Sequence, residues 1–187
     1  VIRQAKKEDV EQIIPLILII LKDMELEFLA KYGIKKVSDV LRAGYVTETF
    51  RYSYQRAIVD VEGEQILGVA FGYKDSEEDL IDQPLVDILP LFEIPAEEKM
   101  FTDKEAFADE WYLDSIAVRA DQRGQGVGAR LLKALPDFAK EQGASKLGLS
   151  VDDGNPRAKQ LYLRQGFEDV GRTVISGHDY DHMQRSV

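Results

Sequence analysis

The run Arg123-Gly124-Gln125-Gly126-Val127-Gly128 constrains this chain more than any other feature. Three glycines at alternate positions stand between a segment of strand character, Trp111 to Val118, and a helical pattern whose buried face is Val127, Leu131, Leu135 and Phe138. Such a strand-to-helix junction leaves the unpaired N–H groups of the first helical turn pointing outward, and glycines let a ligand come close to the backbone. With the helix dipole behind it, the junction is a place for phosphate, and Arg123 adds a full charge. The nucleotide motifs fit badly. No Gly-Lys-Ser/Thr ends the loop, and Gly124-x-Gly126-x-Gly128 misses the dinucleotide spacing by one residue. A tight turn without any ligand is the plain alternative.

Around this junction the chain alternates. Ile2 to Ala5 reads as an opening strand, and Asp9 can cap a helix with Val10, Ile13, Ile14, Ile17 and Leu21 on one face, in which Pro15 marks a kink or the true start. Helices are predicted over Met24 to Tyr32, stopping at Gly33, and over Val37 to Phe50. Ala57 to Val61 and Gln65 to Tyr73 form a hairpin across Glu62-Gly63-Glu64. A further helix is predicted near Ala96 to Phe107. After the glycine loop, a helix through Pro136 closes at Gly143. A strand over Lys146 to Val151, a helix from Pro156 to Gln165 and strands near Phe167 to Ile175 and Tyr180 to Arg185 complete a mixed α/β sheet with helices on its faces. No internal repeat is seen.

Composition narrows the functions. There is no cysteine, which removes disulfides, thiolate nucleophiles and thiolate zinc sites, and a reducing cytoplasm is compatible with that. A net charge of −10 argues against the phosphate backbone of nucleic acid as a partner. The longest apolar run, Ile13 to Leu21, is too short to cross a membrane and leads into no signal-peptide cleavage site. Between Asp75 and Glu110 thirteen acidic residues face two lysines, so the acidity is local. That segment reads as a solvated face or as a rim that attracts cations, and neutralising Glu77, Glu78 and Asp79 tests the second reading.

Val118-Arg119-Ala120-Asp121-Gln122-Arg123-Gly124-Gln125-Gly126-Val127-Gly128-Ala129 resembles the acetyl-CoA signature of the GNAT superfamily of N-acetyltransferases, Arg/Gln-x-x-Gly-x-Gly/Ala. A second resemblance follows in the right order: Asn155-Pro156-Arg157-Ala158, then Leu161-Tyr162-Leu163-Arg164-Gln165-Gly166-Phe167. The likeness is specific from Glu110 to Phe167 and loose elsewhere. It implies a single α/β (α+β) domain over residues 1–187, with a central mixed, mostly antiparallel twisted sheet flanked by helices and an acidic insertion at about 74–109.

The resemblance also implies chemistry. The main chain of Ile116, Ala117 and Val118 would receive the pantetheine arm as an added strand, and Arg123, Gly124, Gln125, Gly126, Val127, Gly128 and Ala129 would hold the pyrophosphate, with Asn155 and Arg164 near the cofactor. Tyr162 would protonate the leaving thiolate, although a phenol of pKa about 10 needs help to do so. The acceptor amine, with a pKa of about 10.4, needs a base. Asp114 is the first candidate and Glu110 the second, since Glu110, Tyr112 and Asp114 share one face of an extended strand. The expected activity is acetyl transfer to a primary amine of a small molecule or peptide, without a metal, and a homodimer is compatible with the fold. The rival is a non-catalytic acyl-CoA sensor. Ser150 lacks the second glycine of a hydrolase elbow, and His178 and His182 would not converge on a metal from a strand.

Overall fold

A computed structural model describes residues 1–187. The chain forms β1 (Ile2–Gln4), α1 (Val10–Asp23), α2 (Glu27–Tyr45), β2 (Ala57–Glu62), β3 (Gln65–Lys74), α3 (Leu85–Ile88), β4 (Trp111–Val118), α4 (Val127–Glu141), β5 (Lys146–Asp152), α5 (Pro156–Arg164), β6 (Glu168–Ile175) and β7 (His178–Ser186). The seven strands make one sheet in the order β1-β2-β3-β4-β5-β7-β6, antiparallel everywhere except between β4 and β5. This is the expected mixed, mostly antiparallel sheet. α1 and α2 pack on one face through Ile13, Ile17, Leu21, Val37 and Leu41, and α4 packs on the other through Val127, Leu131, Leu135 and Phe138. β3 is buried along nearly its whole length because both layers cover it.

Two local expectations differ from the structure, the first only in its bounds. The break predicted at Gly33 is present, since its φ of 83° takes the chain out of the helix, so α2 is two helical stretches either side of it; the first starts at Glu27 rather than Met24 and the second ends at Tyr45 rather than Phe50. No helix forms over Ala96 to Phe107. There the backbone donors go to side chains: Glu78 Oε2 accepts from the N–H of Glu105 and of Ala106, and Glu110 Oε2 accepts from Phe107 N. Carboxylates take the hydrogen bonds that a helix would have made, and the segment is threaded over the sheet end in an irregular path. Pro15 and Pro136 both lie within helices.

The feature that positions the site is a β-bulge. Phe71 pairs with Ser115 and Gly72 with Leu113, which leaves Asp114 as the extra residue on β4. The bulge switches the strand's parity: Trp111 and Leu113 join the α4 core before it, and Ile116 and Val118 pack there beyond it. Gly72 permits this, because a Cβ at that position would overlap the Trp111 ring and the Tyr112 carbonyl.

Candidate active site

β4 and β5 diverge just past the bulge. Their parallel pairing covers only Trp111–Leu113 against Leu147–Leu149; beyond it β5 continues beside β7 while β4 stays with β3. Residues Asp114 to Val118, including Ile116, Ala117 and Val118, therefore have no strand partner on the β5 side. The result is a fork in the sheet with an unpaired backbone edge, the geometry that accepts an added extended chain.

At the foot of this edge, the turn Ala120–Gln122 and the glycine loop lead into α4. Gly124 (φ 78°) and Gly126 (φ 81°) are left-handed, with Gly126 as the helix N-cap, so a residue with a side chain is strained at either position. None of the backbone N–H groups from Arg123 through Ala129 donates a hydrogen bond within the protein. The loop is braced from behind by Arg130, whose Nη1 donates to Gln125 O at 2.9 Å and whose Nε donates to buried Asp60 at 2.8 Å. A braced run of free donors at a helix N-terminus fits a pyrophosphate.

On the opposite face of the sheet, under α1, the fork opens into a cavity of about 260 Å3. Its lining mixes apolar Ile19, Ile20, Met24, Ile116 and Ile175 with Asp23, Glu105, Asp114, Tyr112, Ser115, Ser150 and Tyr180, with no Lys or Arg. Buried Arg51 lies behind the carboxylates: Nη1 donates to Asp114 Oδ1 at 2.8 Å and to Glu105 Oε2 at 3.4 Å, and Nη2 to Asp82 Oδ2 at 3.1 Å. Burial works to lower the pKa of Arg51, but the Asp114 and Asp82 charges raise it well above the ordinary value, so it is a fixed cation. Burial, reinforced by the Asp114 charge and opposed by Arg51 and Tyr112, pushes the Glu105 carboxyl up to about 8.

The sequence-named residues are distributed between the two faces. Asp114 lines the cavity, with one oxygen on Arg51 and the other accepting from Ser115 Oγ at 2.8 Å. Glu110 lies deeper: its oxygens accept from His182 Nε2 at 2.8 Å, Gln184 Nε2 at 2.7 Å and Phe107 N at 3.0 Å, and it does not line the cavity. Tyr162 projects from α5 on the α4 side, its ring edge-on to Phe167 at 6.0 Å, and its hydroxyl makes no hydrogen bond within the protein. Burial raises its pKa. Asn155 caps α5 through Oδ1, which accepts from Ala158 N at 3.1 Å, and Arg164 is exposed at the helix end. His178 is exposed, whereas His182, five residues' span into β7, is fully buried against Glu110. Sequence reasoning missed Arg51 and Glu105, because their partners lie tens of residues away and an irregular segment brings Glu105 in.

A family profile described as "Acetyltransferase (GNAT) family" matches residues 21–167. A crystal structure of an acetyltransferase superposes with a TM-score of 0.93 at 42% identity, covering 100% of this chain and 99% of the other. An N-acetyltransferase from Staphylococcus aureus Mu50 gives a TM-score of 0.82 at 29% identity, covering 99% and 100%. Among curated relatives, a thialysine N-epsilon-acetyltransferase of Bos taurus is 41% identical over 32% of this chain and 35% of its own length. An L-methionine sulfoximine/L-methionine sulfone acetyltransferase of Pseudomonas aeruginosa is 41% identical over 35% and 38%. The match thus spans little more than a third of those curated relatives. The chain belongs to the acetyltransferase (GNAT) family, a class of N-acetyltransferases, and carries its fold across its whole length.

Proposed function

We propose that this protein transfers an acetyl group from acetyl-CoA to an amine seated in the cavity at the β4–β5 fork. The observation that carries the reading is the pairing of two features on one strand: an unpaired β4 edge, and at its foot a run of free N–H donors from Arg123 to Ala129. Arg123, Gly124, Gln125, Gly126, Val127, Gly128 and Ala129 hold the pyrophosphate, the main chain of Ile116, Ala117 and Val118 takes the pantetheine arm, and Asn155 and Arg164 flank it. The bound cofactor supplies an activated thioester carbonyl.

Tyr162 protonates the departing sulfur. Burial makes its hydroxyl hold its proton more tightly than a free phenol, which opposes the transfer, so the step depends on close approach of the hydroxyl to the departing sulfur. Asp114 supplies negative charge at the fork and orients an ammonium toward the carbonyl. The relatives named above are acetyltransferases of small amine-bearing molecules. In this chain a cavity with carboxylates but no Lys or Arg in its lining favours a cationic amine without a carboxylate beside it.

Calorimetric titration with acetyl-CoA tests the cofactor half. Binding in the wild type that is lost in Gly126→Val, with the folded state kept at the assay temperature by circular dichroism although the strained backbone lowers the melting temperature, is expected. Equal binding by Gly126→Val would contradict the assignment of the loop. Binding without turnover of any cationic amine would favour a sensor.

A further inference from the structure

Between the cavity and the buried carboxylate of Glu110, side chains stand in unbroken hydrogen-bond succession. Glu105 Oε1 is 3.1 Å from Tyr112 Oη, Tyr112 Oη is 3.1 Å from Ser150 Oγ, Ser150 Oγ is 3.2 Å from His182 Nδ1, and His182 Nε2 is 2.8 Å from Glu110. The ends differ in kind. Glu105, Tyr112 and Ser150 line the cavity, whereas His182 is entirely enclosed and Glu110 nearly so. The imidazole lies flat against the Phe107 ring, with centroids 3.6 Å apart and planes 2° from parallel, so it is held in place. Glu110, as a carboxylate, only accepts hydrogen bonds; it therefore keeps a proton on Nε2, and in the neutral imidazole the Nδ1 lone pair faces the Ser150 hydroxyl. A core built for stability alone would not bury so many linked polar groups beneath a cavity.

We propose that this succession is a proton wire: Glu105 takes a proton from the acceptor ammonium, and Tyr112 and Ser150 relay it to His182, which Glu110 holds in register. The proposal rests on the acetyl-transfer reading. An ammonium that becomes an amide gives up one proton that leaves with the thiol, by way of Tyr162, and another that must be placed elsewhere. As that N–H bond breaks, its electron pair stays on nitrogen as the nucleophile and an O–H bond forms on Glu105. Glu105 passes the proton to Tyr112 Oη, Tyr112 gives its own to Ser150 Oγ, and Ser150 gives its own to His182 Nδ1. Each oxygen ends with the protons it began with. The imidazolium that forms lies against the Glu110 carboxylate, so no unpaired charge is buried, and the proton returns to solvent by the same route after product leaves.

Glu105 suits the first position better than Asp114 does. Arg51 grips Asp114 at 2.8 Å but Glu105 at only 3.4 Å, and Ser115 occupies the second Asp114 oxygen. The groups facing Glu105 are Arg51, Tyr52 and Glu78 from the loops, Tyr73 from β3, Tyr112 and Asp114 from β4, Ser150 from β5, Tyr180 from β7, and Asp23 at the end of α1. Their balance raises its carboxyl to about 8, which places a base near the working pH. The rate should rise with pH until Glu105 is ionised.

The test compares wild type, Glu105→Gln, Tyr112→Phe and Ser150→Ala in acetyl-CoA titration, in pH profiles of kcat and kcat/KM with one cationic amine, and by 15N NMR of the imidazoles, of which there are two. Cofactor affinity should be unchanged throughout. Glu105→Gln should lower kcat by about 100-fold and abolish the acid limb of the profile; Tyr112→Phe and Ser150→Ala should each lower kcat by about 10-fold with KM nearly constant. Wild-type His182 should show an unprotonated Nδ1 whose signal moves in Ser150→Ala. Variants that keep the wild-type kcat and acid limb, or an Nδ1 already protonated at neutral pH, would overturn the wire while leaving acetyl transfer intact. A wild type that binds acetyl-CoA and turns over no amine would instead remove the transfer reading and the wire with it.

Discussion

Gly148 marks how closely the interior is fitted around its polar groups, since a Cβ there would fall on the buried Glu110 carboxylate. Gly148→Ala should therefore cost about 1–3 kcal/mol in urea unfolding, through displacement of Glu110 from His182; an unchanged midpoint would show that Glu110 has room to move. Glu105 carries a stability signature of its own. Its folded-state carboxyl titrates above the unfolded value, so the folded chain binds that proton more tightly, and stability falls as pH rises from the ordinary glutamate range through about 8. Glu105→Gln should remove that slope and raise the melting temperature at pH 8 relative to wild type, which thermal melts at pH 6 and pH 8 would check. At this scale the sequence was read unevenly. Tyr162 and Asp114 can be named as candidates from the sequence because they sit within or beside motif positions on regular elements. Glu105 is not, because its role comes from Arg51, Tyr112 and Glu78, contacts that no local periodicity encodes.

Among the elements, the strand–loop–helix unit from Trp111 to Glu141 was legible because its chemistry is local: glycines where φ is positive, and an apolar face at helical spacing behind them. The bulge at Asp114 was not. Trp111 to Val118 contains no alternation that would reveal a change of parity, and what accommodates the bulge lies on the neighbouring strand, at Gly72, and in Arg51, which binds the bulged Asp114. The missing helix at Ala96 to Phe107 has the same kind of origin, since Glu78 and Glu110 take its backbone donors from outside the segment. Within α5, Asn155 joins fold to site: its side chain caps the helix that carries Tyr162. Asn155→Ala should cost about 1 kcal/mol in thermal unfolding, and Asn155→Asp, which keeps the cap oxygen, should restore most of it.

Across the whole molecule the acidic segment divides between interior and surface. Glu77 pairs with Arg56, and Glu78 is buried, accepting from the Tyr73 hydroxyl as well as from the backbone of Glu105 and Ala106. Of the three carboxylates first considered for steering, only Asp79 stands free at the surface, so neutralising all three would disturb the fold around Glu105 as well as its field. Asp23 is the better probe, being exposed at the cavity rim on α1. Asp23→Asn should raise the KM of a cationic amine by about threefold at low salt, an effect that fades as ionic strength shortens the Debye length. No helix is long and apolar enough to cross a membrane.

Acetyl transfer at the β4–β5 fork is tested most directly by amine-dependent thiol release from acetyl-CoA, measured for wild type and Tyr162→Phe at equal cofactor saturation. Thiol release that requires a cationic amine and falls by about 100-fold in Tyr162→Phe, with acetyl-CoA affinity retained, is the expected result. Equal release by the two proteins, or none by the wild type with any amine, would contradict it.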